Sequence, residues 1–214
     1  MSLWSQFQQN NGKSIHKWHH YFPVYEKYFS SFRNKRIIFI EIGVQEGGSL
    51  QMFSEFFGPL ATVIGIDIDE KCRDLESEFT HIRIGNQSDT RFLESLLIEF
   101  GAPDIILDDG SHKMDDVRNT FDYLYPKLSK NGIYMVEDMH TAYWSEYGGG
   151  YLQKNSFIEY SKKLIDQLNF QHVRDEIPSP QFIRDTSSIS FYDSIVVFEK
   201  GSVTPKRDSR TGKR

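Results

Sequence analysis

Acidic side chains and a histidine follow two short apolar runs. Ile-Ile-Leu is followed by Asp108 and Asp109, with His112 three residues later, and Ile-Tyr-Met-Val is followed by Glu137 and Asp138. Carboxylates this close repel one another unless a cation lies between them, and Mg²⁺ is held in proteins by a few carboxylates. An imidazole, with an ordinary pKa of about 6.5, can take a proton from a hydroxyl at neutral pH. The pattern therefore predicts a divalent-cation site with His112 as general base.

The same residues have a structural interpretation. Asp108 or Asp138 can cap the helix that follows it, and a loop histidine is usually solvated. Neighbouring residues of a regular strand point to opposite faces. Glu137 and Asp138 can therefore share one metal only if the chain turns between them.

A glycine-rich turn follows an earlier apolar run. Glu41 precedes Gly43, and Gly47, Gly48 and Ser49 complete the turn. The spacing G-x-x-x-G-G differs from the G-x-G-x-x-G fingerprint of pyrophosphate binding. A carboxylate at this position would repel a pyrophosphate and attract an ammonium group. The turn indicates a ligand that carries an amino group, although a glycine turn after a strand can also be purely structural.

Polar residues end the next two apolar runs. Asp67 lies 24 residues after Gly43, where a carboxylate can accept hydrogen bonds from both hydroxyls of a ribose. Its alternative role is a helix cap, as for Asp69. Gln87 and Ser88 follow the third run, where they can contact the edges of an adenine or, for Ser88, cap the next helix. Together the three loops predict a nucleotide-type ligand.

The elements that must position these residues alternate along the chain. Strands are predicted at Arg36–Ile42, Thr62–Asp67, His81–Ile84, Pro103–Asp108 and Gly132–Glu137, and helices at Ser49–Phe57, Glu70–Glu78, Thr90–Phe100, Asp115–Leu128 and Lys154–Leu168. Ile189–Tyr192 and Ile195–Lys200 flank Asp193-Ser194 as a hairpin. This order predicts an α/β fold with a Rossmann-like, doubly wound sheet, mostly parallel with a C-terminal antiparallel hairpin.

The two ends of the chain are assigned separately from residues 35–200. Residues 1–34 are predicted to form a helical lid with a helix from about Ile15 to Phe32, and residues 201–214 a disordered basic tail. His16, His19 and His20 have the i, i+3, i+4 spacing that can bind a metal on a helix. A surface or lid helix is the favoured interpretation.

Composition limits the partners of the chain. The 214 residues carry a formal net charge of −5 at pH 7, and five of the 25 Lys and Arg but one of the 30 Asp and Glu lie in the last 14 residues, which leaves −9 for the remainder. A body this acidic disfavours a nucleic-acid substrate. The lone Cys72, the absence of an apolar signal core and the absence of a run of about 18 apolar residues predict a cytoplasmic location without membrane insertion.

The segments EIGVQEGGS, GIDID, GNQSD, LDDGSH and EDMHTAYW resemble, in this order, the class I S-adenosylmethionine-dependent methyltransferases. The resemblance is greatest to metal-dependent O-methyltransferases of macrolide sugars and surface polysaccharides. It implies cofactor-binding residues Glu41, Gly43, Gly47, Ser49, Asp67, Gln87, Ser88 and Asp108, Mg²⁺ ligands Asp109, Glu137 and Asp138, and His112 as the base. A sugar hydroxyl is the implied acceptor.

An aromatic and glycine-rich segment follows Asp138. His140, Tyr143 and Trp144 are predicted to contact the acceptor, because flat apolar faces stack on the C–H side of a sugar ring. They can equally cover the edge of the sheet. Three other functions stay open: a catechol-type O-methyltransferase, a hydroxylase-like relative and a non-catalytic binding protein. A homo-oligomer is also left open.

Overall fold

The computed structural model describes residues 1–174, 185–201 and 208–212. Within them the α-helices are α1 (Leu3–Gln8), α2 (Phe22–Phe29), α3 (Gly48–Phe57), α4 (Thr90–Phe100), α5 (Met114–Leu124) and α6 (Phe157–Leu168). The strands are β1 (Ile38–Ile42), β2 (Thr62–Asp67), β3 (Thr80–Ile84), β4 (Ile105–Asp108), β5 (Ile133–Val136), β6 (Thr186–Tyr192) and β7 (Ile195–Lys200). Short 3₁₀ turns connect several of these elements.

One sheet of seven strands runs through the molecule in the order β3-β2-β1-β4-β5-β7-β6. The first five strands are parallel, and β7 pairs antiparallel with both β5 and β6. Tyr192 pairs with Ile195, so Asp193 and Ser194 form a two-residue hairpin turn. The predicted Rossmann-like fold with a C-terminal antiparallel hairpin is confirmed.

Apolar side chains cover both faces of the sheet, as a doubly wound fold requires. On one face, Phe29 of α2 and Phe53 of α3 pack on Phe39 of β1 with ring centroids 5.0–6.1 Å apart. On the other, Phe121 of α5 lies 4.4 Å from Phe198 of β7. Burial of each such ring contributes about 1.5–3 kcal/mol to folding. Since α2 belongs to this core, the N-terminal part of the chain contributes to the packing of the sheet.

The strand register brings the carboxyl ends of β1, β4 and β5 to one line. Ile42 pairs with Asp108, which pairs with Val136. At this edge Gly43 has a φ of +92°, and a Cβ there would lie 2.1 Å from the carbonyl oxygen of Asp109. Any other residue at Gly43 would push the two loops apart, so this glycine is needed for their close approach.

The N-terminal segment differs from its prediction. Residues 14–18 are not helical, and the helix predicted from Ile15 begins only at Phe22 after a 3₁₀ turn at His19–Tyr21. Pro23 fits the first turn of a helix and helps to set this start. The short helix α1 (Leu3–Gln8), capped by the Ser2 hydroxyl, was not predicted.

Other boundaries also differ from their predictions, and strand β6 begins at Thr186 rather than at Ile189. The segment predicted as a helix at Glu70–Glu78 is a 3₁₀ turn at Glu70–Leu75. Helix α5 ends at Leu124, before a 3₁₀ turn that contains Pro126, because proline cannot continue the helical hydrogen bonds. Helix α6 begins at Phe157, where the Ser156 hydroxyl caps it, rather than at Lys154.

Two predictions concern the ends of the chain and its relation to membranes. Most of the predicted basic tail, residues 202–207 and 213–214, lies outside the described residues. None of the helices in the described part of the chain has the length and apolar character of a membrane span.

Candidate active site

Three potential ligand groups meet where β4 and β5 end. His112 Nε2 lies 3.7 Å from Asp109 Oδ1 and 3.8 Å from Asp138 Oδ2. One side-chain donor or acceptor atom from each residue lies within 4.8 Å of the other two, and all three side chains are half-buried. Two carboxylates and an imidazole form a donor set that can hold a divalent cation. The structure thus brings together three of the four residues predicted for the metal and the base.

The chain turns where both Glu137 and Asp138 could face one site. Strand β5 ends at Val136, and Asp138 has a left-handed conformation with φ +51°. His112 is also left-handed, with φ +57°. Left-handed backbone costs a residue other than glycine about 1–2 kcal/mol. Two such residues in one cluster are typical of a site at which geometry has taken precedence over local stability.

Glu137 lies deeper than the other acids and has different partners. It is buried, accepts a hydrogen bond from the Tyr25 hydroxyl, and lies 2.8 Å from the Lys17 ammonium group. Burial raises the pKa of Glu137 to about 8, an effect that Lys17 reduces. Glu137 is therefore next to the predicted metal site, and its carboxylate is paired with a lysine.

Lys17 was not predicted to take part in the site. Its Nζ lies 2.5 Å from Asp109 Oδ2 and 3.6 Å from Glu41 Oε1, and its side chain is 4% exposed. Between Asp109 and Glu137 it occupies the position of a small cation. A lysine in a polar, aromatic stretch of sequence gives no signal of this role, because its partners are 92 and 120 residues away along the chain.

Two tyrosines also hold the acids in place. The Tyr21 hydroxyl donates to Asp138 Oδ1 at 2.6 Å, and the Tyr25 hydroxyl donates to Glu137. The four-residue spacing places both on one side of the turn into α2. In the sequence, only this spacing indicates that the two tyrosines act together, and the same spacing is equally typical of aromatic residues in a core.

Glu41 is a buried carboxylate without hydrogen bonds. It is fully buried, and neither side-chain oxygen has a hydrogen-bond partner among the described residues. Burial raises its pKa to about 7, an effect that Lys17 reduces. A buried polar group normally has a partner, so the two oxygens fit a ligand that brings N–H donors and positive charge. An amino-acid ammonium group has both.

Asp67 is held by backbone amides of the glycine turn. Its carboxylate accepts from Val44 N at 2.8 Å, Gln45 N at 3.3 Å and Asp69 N at 2.9 Å. Burial opposes ionisation, but these donors outweigh it and lower the pKa of Asp67. The ionised group is thus fixed beside Gly43–Gly47, and the suggested helix cap is formed by Asp69, which accepts from Lys71 N.

We expect Asp67→Ala to weaken S-adenosylmethionine binding at least about tenfold. Two ribose hydroxyls would lose a charged acceptor, and each such hydrogen bond is worth about 1.5–3 kcal/mol. Calorimetric titration measures the change, with Asp69→Ala as the matched control, because Asp69 caps the neighbouring turn. Unchanged affinity in a folded Asp67→Ala protein would contradict the assignment.

The residues predicted near adenine already bond to one another. Gln87 Nε2 donates to Asp108 Oδ1 at 3.2 Å, and its Oε1 accepts from Ser111 N at 2.7 Å. Asp108 is buried, which raises its pKa to about 7 despite hydrogen bonds from Tyr134 and Gln87. Ser88 Oγ donates to Asp116. These contacts brace the loop before His112, and the cofactor contacts of Gln87, Ser88 and Asp108 stay predictions.

Aromatic rings form a rim beside the acid cluster. The ring of Trp144 lies 4.9 Å from that of His140 and 6.0 Å from that of Tyr147, which lies 6.3 Å from His112. Trp18 approaches His140 from the N-terminal segment at 5.9 Å. The predicted acceptor residues Tyr143 and Trp144 are 50% and 45% exposed. Large apolar rings left open beside buried acids suit a ligand with apolar faces and polar edges.

The histidines of the N-terminal segment do not form the metal site that their spacing allows. His19 packs against Trp4 at 5.0 Å, and His20 packs against Tyr21 at 4.7 Å. Across the described residues, the group with metal-ligand geometry is that of Asp109, His112 and Asp138.

Comparison with known proteins shows which proteins the chain is similar to. A family model described as a methyltransferase domain matches residues 40–139. Mycinamicin VI 2''-O-methyltransferase of Micromonospora griseorubida is 34% identical over 195 residues, which are 86% of this chain and 48% of that protein. An 8-demethyl-8-alpha-L-rhamnosyl tetracenomycin-C 2'-O-methyltransferase of Streptomyces olivaceus is also 34% identical, over 86% of this chain and 51% of that protein.

A solved structure supports the same assignment. MycE methyltransferase of the mycinamycin pathway, in complex with Mg and SAH, superposes with a TM-score of 0.84 at 30% identity, covering 94% of this chain and 54% of that one. The chain spans about half the length of the relatives that it matches. The sheet order, the glycine turn and these matches together show that residues 40–139 form a methyltransferase domain of the S-adenosylmethionine-dependent kind.

Proposed function

We propose that the protein is an S-adenosylmethionine-dependent, Mg²⁺-assisted O-methyltransferase that acts on a sugar hydroxyl of a glycan or glycoside. One observation carries the proposal: the cluster of Asp109, His112 and Asp138 adjoins the buried carboxylate of Glu41, which accepts no hydrogen bond from the described residues and has the Lys17 ammonium group 3.6 Å away. A cation site and an ammonium site on neighbouring strands fit a metal-assisted reaction with an amino-acid-bearing donor. The relatives named above are O-methyltransferases, which supports this reading.

The cofactor would be held along the carboxyl ends of β1 and β2. Glu41 would accept the amino group, Asp67 would accept the ribose hydroxyls, and Gly43, Gly47 and Ser49 would line the methionine part. Asp109, Glu137 and Asp138 would hold Mg²⁺. When bound, S-adenosylmethionine would supply a sulfonium methyl group, and Mg²⁺ would lower the pKa of the acceptor hydroxyl.

His112 would take the proton of the acceptor hydroxyl at Nε2. Carboxylates lie 3.7 and 3.8 Å from this atom, so they would stabilise the imidazolium that results. Asp109 and Asp138 would also hold the metal, and the left-handed backbone at His112 and Asp138 accompanies an imidazole and a carboxylate 3.8 Å apart. The contribution of the protein is mainly positioning and charge stabilisation.

The aromatic rim favours a sugar as the acceptor. His140, Tyr143 and Trp144 would meet the C–H face of the ring while its hydroxyls reach the acid cluster. The acidic body of the chain opposes nucleic acid. A cytoplasmic location stays a prediction, and a homo-oligomer stays an open alternative.

We expect methyl transfer to saccharides in an acceptor screen. Purified protein with S-adenosylmethionine and Mg²⁺ is incubated with nucleotide sugars, glycosides and diphenols, and products are read by mass spectrometry for a gain of one CH₂. Asp109→Asn, which loses a ligand, is the matched negative control. Methylation of diphenols but of no sugar would replace the substrate class by a catechol-type one, and no transfer to any acceptor while cofactor binds would favour a non-catalytic protein.

A further inference from the structure

The N-terminal segment lies across the crevice in which the cofactor is proposed to bind. The cavity between residues 14–17 and residues 43–46 holds about 10 Å³, the least space that admits one water molecule. A Cβ on Gly48 would lie 2.2 Å from the carbonyl oxygen of Ser14 and 2.6 Å from that of Lys13. Residues 14–17 therefore occupy part of the crevice in which the methionine part of the cofactor is proposed to bind.

Lys17 attaches this segment to the acids. Its ammonium group contacts Asp109 and Glu137, which are proposed ligands of the metal. It also lies 3.6 Å from Glu41, which is proposed to accept the amino group of the cofactor. One positive charge faces three carboxylates. Lys17 thus contacts the same acids to which the divalent cation is proposed to bind.

We propose that Lys17 is a resident cation that Mg²⁺ replaces. A divalent ion binds carboxylate oxygens at about 2.0–2.1 Å, and Lys17 Nζ is already 2.5 Å from Asp109 and 2.8 Å from Glu137. The two cations would repel each other across the same two carboxylates. Binding of Mg²⁺ to these acids therefore expels the ammonium group and releases residues 13–18 from the crevice.

The exchange also decides the role of His112. While Lys17 contacts Glu137, the residues left to bind a metal ion are Asp109, His112 and Asp138. If Nε2 of His112 binds the metal, it cannot take a proton from the acceptor. With Lys17 expelled, Glu137 becomes the third ligand and His112 is left free. The inference rests on the proposed function, because it uses the same metal site.

Metal binding alone tests the exchange. Mn²⁺ is titrated into the cofactor-free protein, and free Mn²⁺ is measured by electron paramagnetic resonance. We expect Lys17→Met to bind Mn²⁺ about tenfold more tightly or better than the wild type, because the competing state is removed. Lys13→Met, on the same segment but exposed, should bind as the wild type does.

A second measurement needs no variant. The wild-type protein is labelled with an amine-reactive ester, and the labelled lysines are identified by mass spectrometry. Lys17 should be protected without metal and labelled when Mg²⁺ is present, whereas Lys13 should be labelled in both states.

The outcomes separate the two proposals. Equal Mn²⁺ affinity of wild type and Lys17→Met, together with protection of Lys17 at saturating Mg²⁺, would overturn the exchange and leave the methyltransferase standing. Absence of Mn²⁺ binding in both proteins would overturn the metal in the proposed function, and the exchange with it.

Discussion

Replacement of His112 by alanine is expected to lower kcat for methyl transfer by about 10²–10⁴-fold, the usual contribution of a general base. Affinity for S-adenosylmethionine should stay nearly unchanged, since the imidazole faces Asp109 and Asp138 at 3.7 and 3.8 Å, whereas the proposed cofactor residues Glu41 and Asp67 lie on β1 and β2. Steady-state kinetics gives kcat, and calorimetry gives the affinity for the cofactor.

A matched control is the His172→Ala protein, because His172 lies in an exposed 3₁₀ turn after α6. It should keep full activity. If His112→Ala lost metal binding as well as turnover, the imidazole would be a ligand rather than the base. If it kept full turnover, His112 would have no part in the chemistry.

The second large effect is expected from removal of the metal. Exhaustive chelation should lower kcat/KM by about 10²-fold or more, because the charge stabilisation that a bound divalent ion supplies is worth several kcal/mol. Added Mg²⁺ should restore the rate. Asp109→Asn should weaken metal binding, since Asp109 belongs to every ligand set that the site allows.

Asp115→Asn is the control for this variant. Asp115 is an exposed acid in the first turn of α5, so the change removes the same charge near the site without removing a ligand. Full turnover after chelation, with no metal detectable in the protein, would mean that the acid cluster is structural.

The sequence predicts those features that depend on near neighbours. The run from Ile195 to Lys200 gave the bounds of β7, because apolar strands stand out between turn residues. The alternation of strands and helices gave the fold. The position of Glu41 before a glycine turn predicted a carboxylate that attracts an ammonium group. In the structure, the Glu41 carboxylate is without hydrogen bonds to the described residues.

Several contacts between the N-terminal segment and the acid cluster were not predicted. Residues 14–18 are not helical, and Lys17 there reaches the acids that follow β4 and β5; no local pattern contains that contact. In the sequence, Tyr21 and Tyr25 cannot be distinguished from aromatic residues of the core, because the acceptors of their hydroxyls lie more than 100 residues away along the chain. The turn between Glu137 and Asp138 likewise depends on where β5 ends.

The left-handed backbone at His112 and Asp138 has a consequence for how this protein would respond to selection. Glycine adopts such a conformation without the cost of about 1–2 kcal/mol that other residues bear. A library screened only for thermal resistance would therefore enrich glycine at these two positions and discard an imidazole and a carboxylate of the acid cluster. Stability and chemistry make opposite demands on the same two residues, so improved variants of this chain have to be sought elsewhere in the sheet and its helices.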